Sequence, residues 1–174
     1  MIPPDGGVPG PSPSPERRIS ITTIGVYGWT LERWLAALHG AGVVLVADVR
    51  QRRGVRGSEY AWANSKRLQA ALEDARIGYR HHPELAPTTE LRRLQYAEDA
   101  RLGVGKRSRD VLAPAYVERY EREVLAQVDL SAFAASLPDG VTALLCVERD
   151  PEACHRSLVA ARLARLGLPV GHLR

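Results

Sequence analysis

One stretch near the C-terminus constrains the fold more than any other part of the chain. Residues Val141–Val147 form an uninterrupted apolar run, followed by polar residues 148–150 and a helical pattern that ends at Gly167. Such a run is typical of a strand buried on both faces, as in a parallel sheet. Asp150 and Pro151 together favour a helix start, with Asp as N-cap and Pro in the first turn. The stretch therefore predicts a buried strand that leads into a helix.

The N-terminal half shows the same alternation and predicts a βαβ unit. Apolar, β-rich segments at Ile19–Tyr27 and Val43–Val49 flank a helical pattern that Thr30 can cap and that glycines end. A strand, a helix of about ten residues and a second strand imply parallel strands joined by a right-handed crossover. We therefore predict an α/β fold with a mostly parallel sheet flanked by helices.

Residues 1–18 differ in composition from the rest of the chain. Pro, Gly and Ser dominate this segment, which has almost nothing to bury, so we predict a disordered tail. No internal repeat and no second core are evident, and we predict one domain over residues 19–174. The further elements predicted by periodicity are helices beginning at 64 or 65 and at 88 or 89, helices over 115–128 and 130–137, and short strands over 77–82 and 168–173.

Composition and charge narrow the class of protein. No apolar run approaches the roughly 20 residues of a membrane helix, and no signal peptide is visible, so we expect no membrane partner and a cytoplasmic location. Two cysteines without an export signal argue against a disulfide framework. A net charge of +4 suits an anionic partner such as a nucleotide or nucleic acid, although an Arg-rich composition alone gives the same balance. No particular oligomeric state is predicted.

Two carboxylates lie where buried strands end. Asp48 closes the second apolar run, and Glu148 holds the equivalent place after the last one. An unpaired carboxylate in so apolar a setting is costly, which leaves two interpretations of Asp48. In the first, it caps the following loop or forms an ion pair with Arg50, Arg52 or Arg156. In the second, it acts as a general base or a ligand-orienting group in the crevice at the strand ends. If the two strands are parallel neighbours, both carboxylates point into that crevice and can divide acid and base roles.

Cys154, His155 and Arg156 fall at the predicted helix start. Cys154 can be a nucleophile, because a helix N-terminus and neighbouring cations stabilise a thiolate. Cys146 and Cys154 can equally be small core residues that pack strand against helix. His155 and Arg156 beside a helix start suit a phosphate or carboxylate ligand.

Zinc binding is a third interpretation of the cysteines. The spacing Cys-x7-Cys-His is not a usual zinc pattern, and His81, His82 or His172 would have to complete the site. The common nucleotide-binding and metalloprotease signatures are absent as well. We therefore predict no metal ion and no cofactor.

Arginine-rich loops offer a second way to bind an anion. Residues 50–62 combine arginines with Tyr60 and Trp62, which pairs phosphate-binding guanidinium groups with stacking surfaces, as in single-strand binders. Ordinary solvated loops can have the same composition. The basic side chains concerned are Arg50, Arg52, Arg53 and Arg56, to which Lys106, Arg107 and Arg109 of a second loop can add.

Several of these motifs together resemble those of the DUF488 family. The residues that carry the resemblance are Thr23-Ile24-Gly25, Asp48-Val49-Arg50, Leu145-Cys146-Val147-Glu148, Pro151 and Cys154-His155-Arg156-Ser157. The resemblance covers nearly the whole chain after the tail. It implies a single compact, Rossmann-like α/β domain with its site at these motifs, and it implies no particular reaction.

The leading hypothesis is an enzyme that acts on a nucleotide or nucleic acid through an anion-binding crevice at the C-terminal strand ends. Its expected catalytic side chains are Asp48, Glu148, His155 and Cys154. Its expected phosphate-binding or stacking side chains are Arg50, Arg52, Arg53, Arg56, Tyr60, Trp62 and Arg156. The alternatives are a non-catalytic nucleic-acid-binding module that uses the arginine loops, and a thiol-dependent or zinc protein.

Overall fold

A computed structural model describes residues 17–174 and contains a single sheet of parallel strands. The strands are β1 (Ile19–Ile24), β2 (Val43–Asp48), β3 (Gly78–His81), β4 (Gly140–Leu145) and β5 (Val170–His172). Their order across the sheet is β3-β2-β4-β1-β5, and every neighbouring pair is parallel. The predicted α/β fold with a parallel sheet is confirmed. Residues 1–16, which include most of the predicted tail, lie outside the described residues.

Helices connect the strands and cover the sheet. They are α1 (Leu31–Gly40), α2 (Ser65–Asp74), α3 (Thr89–Leu102), α4 (Pro114–Glu123), α5 (Leu130–Ser136) and α6 (Arg156–Arg165). α1 packs against β2, α2 against β3, and α6 against both β1 and β4. Within residues 17–174, no helix has the length and apolar character that a bilayer crossing requires.

Two helix starts were correctly predicted from capping residues. The Thr30 hydroxyl accepts a hydrogen bond from the backbone N–H of Arg33, and Thr88 accepts one from Leu91, so each satisfies an N–H of a first helical turn. The helix predicted over 115–128 is shorter in the structure, because α4 ends at Glu123 and a 3₁₀ turn follows it.

The helix after β4 begins later than predicted. Pro151 starts a 3₁₀ turn of three residues, Cys154 is extended with φ −142° and ψ 142°, and α6 begins at Arg156. Asp150 makes no capping hydrogen bond, and its carboxylate accepts from Arg149 instead. Because the extended residue interrupts the helical backbone, Cys154 and His155 lie in the loop before α6 rather than inside a first turn.

The position of β4 decides which loops meet. β4 lies between β1 and β2, and the last residue of β4, Leu145, stands opposite both Ile24 and Asp48. The three strands therefore end at one level, and the segments that follow them leave the sheet side by side. The condition under which Asp48 and Glu148 were expected to meet, a parallel pairing of their strands, is fulfilled.

Candidate functional site

A cavity of about 450 Å³ opens at the C-terminal ends of the central strands. Its floor consists of residues that follow β4 or precede α6. Its walls come from the loop after β2, from α3, from the loop between α3 and α4, and from the start of α4. This is where open parallel sheets bind their ligands. Among the described residues that line it, six are cationic and one is a carboxylate: Arg50, Arg52, Arg56, Arg92, Lys106, Arg109 and Glu148.

Glu148 brings its carboxylate to the cavity and is held there by cations. Its Oε1 lies 3.2 Å from Nη2 of Arg109 and 3.7 Å from Nζ of Lys106, while Oε2 accepts a 3.2 Å hydrogen bond from the Cys146 thiol. Arg109 also contacts Asp99 at 2.6 Å. The two cations beside Glu148 are thus largely neutralised by carboxylates.

Three other cations of the lining have no such compensation. Arg52, Arg56 and Arg92 have no carboxylate within salt-bridge distance in the part of the chain that the structure describes. Arg92 donates to two neutral oxygens, at 2.5 Å to Oε1 of Gln51 and at 3.3 Å to the hydroxyl of Tyr96. Arg52 and Arg56 are exposed at the rim. The cavity therefore carries a local excess of positive charge.

Asp48 is buried in an ion pair and does not line the cavity. Its Oδ1 accepts from Nε and the backbone N–H of Arg50 at 2.8 and 3.1 Å, and its Oδ2 accepts from Nη2 of Arg50 and from the Tyr79 hydroxyl at 2.7 Å each. All four acceptor positions of the carboxylate are then in use. These contacts favour the ion-pair interpretation, and they correct the expectation that Asp48 faces the crevice as a general base.

Arg50 is affected by this pairing in turn. Burial by itself would lower the pKa of Arg50, but the hydrogen bonds and the negative charge of Asp48 outweigh it and raise that pKa. Its Nη1 also donates to the carbonyl of Ala63 at 2.9 Å. Arg50 thus reaches the cavity as a cation whose charge Asp48 already balances.

Two thiols and an imidazole form the deepest part of the floor. Nδ1 of His155 lies 3.7 Å from Sγ of Cys146 and 3.9 Å from Sγ of Cys154, and the three atoms are all within 4.8 Å of one another. Nε2 of His155 is 2.9 Å from the carbonyl of Val49, which can only accept, so Nε2 carries a proton and Nδ1 faces the sulfurs. The Tyr120 ring packs edge-on against the imidazole.

The surroundings shift the pKa values of the two thiols in opposite directions. Burial would raise the pKa of Cys154, but the neighbouring thiol of Cys146 and the positive charges of Arg156 and His155 lower it well below its usual value. Burial and the neighbouring Cys154 raise the pKa of Cys146. Burial would lower the pKa of His155, whereas the charge of Cys154 raises it. The lowered pKa favours the thiolate of Cys154, the form in which sulfur attacks electrophiles or binds metals.

Arg156 holds the floor together but does not reach the cavity. Its guanidinium is fully buried and donates to the carbonyls of Glu148 and Arg149 at 2.6 and 2.8 Å and to the Thr23 hydroxyl at 3.3 Å. We expected Arg156 and a helix start to bind phosphate, and this is wrong for Arg156. Its hydrogen bonds connect the loop after β4 to β1, so its guanidinium is not available to a ligand.

The predicted stacking residues also lie elsewhere. Tyr60 packs on Tyr27 with ring centroids 5.1 Å apart, and Trp62 packs on Trp34 at 5.4 Å, so both rings cover the core. Neither they nor Arg53 belong to the cavity lining. The aromatic side chains that do line it are Tyr27, Tyr96 and Tyr116.

The wall contributed by α3 was missed by sequence reasoning. Arg92 and Tyr96 lie one turn apart on α3, a polar helix whose buried residues are Leu91, Gln95 and Asp99. Gln95 is buried, donates to Asp99 at 2.8 Å and accepts from the backbone N–H of Ala113 at 2.9 Å. In the sequence, only the spacing of Gln95 and Asp99, one helical turn apart, could have indicated that α3 buries polar side chains.

The histidines proposed to complete a zinc site point to other partners. His81 contacts the carbonyl of Arg50 at 2.9 Å, and His172 contacts the Thr23 hydroxyl at 2.9 Å. His82 is 2.7 Å from Glu84. The cysteines are thus grouped with His155 and not with any of these three.

The cavity floor falls within a known protein family. A family model described as a domain of unknown function, DUF488, matches residues 30–163, which include the cavity floor and most of the sheet. No curated protein and no solved structure matches the chain.

Proposed function

The chain belongs to the DUF488 family, and we propose that it is an enzyme whose cavity binds the phosphate of a nucleotide or nucleic acid. The observation that carries the proposal is the set of three guanidinium groups, on Arg52, Arg56 and Arg92, that face the cavity without a carboxylate partner among the described residues. Guanidinium groups bind phosphate through paired, charge-assisted hydrogen bonds, and an uncompensated group has its full charge available for a ligand.

The size and lining of the cavity support a ligand of nucleotide size. Its volume of about 450 Å³ falls in the range of about 300–1,000 Å³ that is usual for small-molecule sites. Tyr27, Tyr96 and Tyr116 supply aromatic surface to the lining. A base or ribose can pack against such rings while the arginines hold its phosphate.

The reactive groups that line the cavity differ in burial from two of its arginines. Glu148, Cys154 and His155 are buried at the floor, whereas Arg52 and Arg56 stand at the rim. A phosphate-containing ligand held by the exposed arginines can extend toward the buried groups, which supply a carboxylate, an imidazole and a thiol. We assign hydrolysis or group transfer to these buried groups. Both cysteines are free thiols, which suits a reducing compartment such as the cytoplasm.

Removing the uncompensated charges should weaken binding. We expect the double variant Arg52→Gln/Arg92→Gln to bind nucleoside diphosphates or single-stranded oligonucleotides at least about tenfold more weakly, since a charged hydrogen bond contributes about 1.5–3 kcal/mol. Titration calorimetry and fluorescence anisotropy measure the change. The matched control is Arg93→Gln, which removes one exposed charge from the same helix outside the cavity and should leave affinity unchanged.

The salt dependence of binding provides a second check. Wild-type affinity should fall steeply as salt rises from about 50 to about 200 mM, and the double variant should show a shallower slope, because fewer cations pair with phosphate. Absence of wild-type binding to all of these ligands would refute phosphate recognition. So would equal affinities of the double variant and the Arg93→Gln control.

Catalysis is tested separately from binding. We expect Glu148→Gln to bind a nucleotide substrate at least as tightly as the wild type, because Lys106 and Arg109 lose a compensating charge. Its turnover should fall about 100-fold or more, the usual range for removing a proton-transfer group. Product release followed by mass spectrometry measures the loss. If the wild type binds ligands tightly and converts none of them, the protein is the non-catalytic module and the enzymatic half of the proposal fails.

A further inference from the structure

The thiols and the imidazole at the cavity floor have the spacing of metal ligands. We propose that Cys146, Cys154 and His155 bind one zinc ion. Tetrahedral zinc with bonds of about 2.3 Å to sulfur and about 2.0–2.1 Å to nitrogen sets ligand atoms about 3.6 Å apart for S and N. Nδ1 of His155 lies 3.7 and 3.9 Å from the two sulfurs, within a few tenths of an ångström of that spacing, and all three ligand atoms lie within 4.8 Å of one another.

The second contact of the histidine supports this assignment. Metal-binding histidines usually donate their other ring N–H to a carbonyl or carboxylate, which fixes the tautomer. Nε2 of His155 makes that contact with the carbonyl of Val49 at 2.9 Å, and Nδ1 is left to face the sulfurs. The edge-on packing of Tyr120 further restrains the ring.

The backbone brings the three ligands together although their spacing in the sequence is not a usual zinc pattern. Cys146 follows directly on β4, at the centre of the sheet. Cys154 is extended and His155 is helical in φ and ψ, so two adjacent residues direct their side chains to one centre. Hydrogen bonds from Cys154 N to Pro151 O at 3.1 Å and from Ser157 Oγ to Cys154 O at 2.8 Å hold this loop in place.

The fourth position of the site is open to the cavity. The set of mutually close ligand atoms consists of Cys146, Cys154 and His155, and Glu148 stands beside it with Oε2 3.2 Å from Sγ of Cys146. Oε1 of Glu148 is engaged by Arg109. Three protein ligands with a free fourth position, next to a carboxylate that can hydrogen-bond a metal-bound water, is the arrangement of catalytic rather than structural zinc.

Zinc binding and phosphate recognition can fail independently. The metal site uses the floor and is measured without any nucleotide, whereas the arginines of the rim are tested by ligand affinity alone. A competing use of the same thiols is a Cys146–Cys154 disulfide, which would remove both sulfur ligands. The experiment therefore has to measure the metal content, the number of free thiols and the bonding of sulfur to the metal in the same preparation.

Metal content and cobalt spectroscopy of the full chain test the proposal. We expect about one zinc per chain by mass spectrometry, and cobalt substitution should give thiolate charge-transfer absorption together with the visible bands of tetrahedral cobalt. Cys146→Ser and Cys154→Ser should each lose much of the charge-transfer band. His155→Gln should weaken cobalt affinity by at least about tenfold. The control is His172→Ala, an exposed histidine outside the cavity, which should keep the full spectrum.

Circular dichroism of each variant separates loss of ligation from loss of folding. A folded variant with less metal supports the assignment. Two results would overturn it: a wild type that binds no stoichiometric metal with both thiols reduced, or a cobalt spectrum that is unchanged in Cys146→Ser and Cys154→Ser. Isolation of the wild type with a Cys146–Cys154 disulfide and no metal would also overturn it.

Discussion

Replacing Asp48 by Asn should lower the free energy of unfolding by about 3–5 kcal/mol, the usual cost of leaving a buried charge without its partner. Asp48 is fully buried and Arg50 nearly so, with three hydrogen bonds from Arg50 to the carboxylate. In the variant the Arg50 guanidinium stays buried and loses its counter-charge. Urea denaturation followed by circular dichroism measures the difference.

An exposed ion pair serves as the control for this loss. Glu118→Gln breaks the contact of Glu118 with Arg122, in which both side chains are exposed, and should cost less than about 1 kcal/mol. The double variant Asp48→Asn/Arg50→Met should regain part of the stability, because it removes the unpaired charge. A loss for Asp48→Asn as small as that of Glu118→Gln would show that the buried pair does not stabilise this fold.

Gly25→Ala should destabilise the protein by about 3 kcal/mol, at the upper end of what overpacking costs. A Cβ at position 25 would lie 2.0 Å from the carbonyl oxygen of Glu148 and 2.9 Å from its carbonyl carbon. Both are backbone atoms and cannot rotate away, so the loops after β1 and β4 must separate. The same carbonyl accepts a hydrogen bond from Arg156, and this contact is strained as well.

The effect of Gly25→Ala should extend to the cavity. Glu148 lines it, so a shift of its backbone displaces the carboxylate from Arg109 and from Cys146. The melting temperature and the affinity for nucleotides should therefore both fall. Gly40→Ala is the matched control: no atom lies within 4 Å of its added Cβ, and Ala is the better helix former, so stability should stay equal or rise by up to about 1 kcal/mol. Equal behaviour of the two variants would contradict the close approach.

Local signals sufficed for part of the candidate site. Glu148, Cys154 and His155 were expected near the ends of buried strands, and all three line the cavity, because a change from apolar to polar residues marks the end of a parallel strand. The helix start was misplaced for an equally local reason. A capping residue contributes about 1 kcal/mol, and the buried contacts of Cys154 and His155 outweigh that preference.

Other parts of the site depend on contacts between distant segments. Asp48 and Glu148 occupy equivalent positions in sequence, yet Tyr79 and Arg50 use every acceptor position of Asp48, whereas Glu148 faces the cavity. Arg92 on α3 has no motif around it, and it becomes part of the cavity only because α3 forms one of its walls. The grouping of the cysteines with His155 likewise follows from the extended backbone of Cys154.

The sequence by itself determined which segments are buried strands, where each one ends, and that polar and thiol groups follow those ends. It could do so because hydrophobic periodicity and capping act between residues that are close along the chain. Only the tertiary structure decided that β4 lies between β1 and β2, and hence which ends meet. Pairing of strands across the sheet, and the choice of partner for each buried charge, depends on residues far apart in sequence, for which local patterns carry no information.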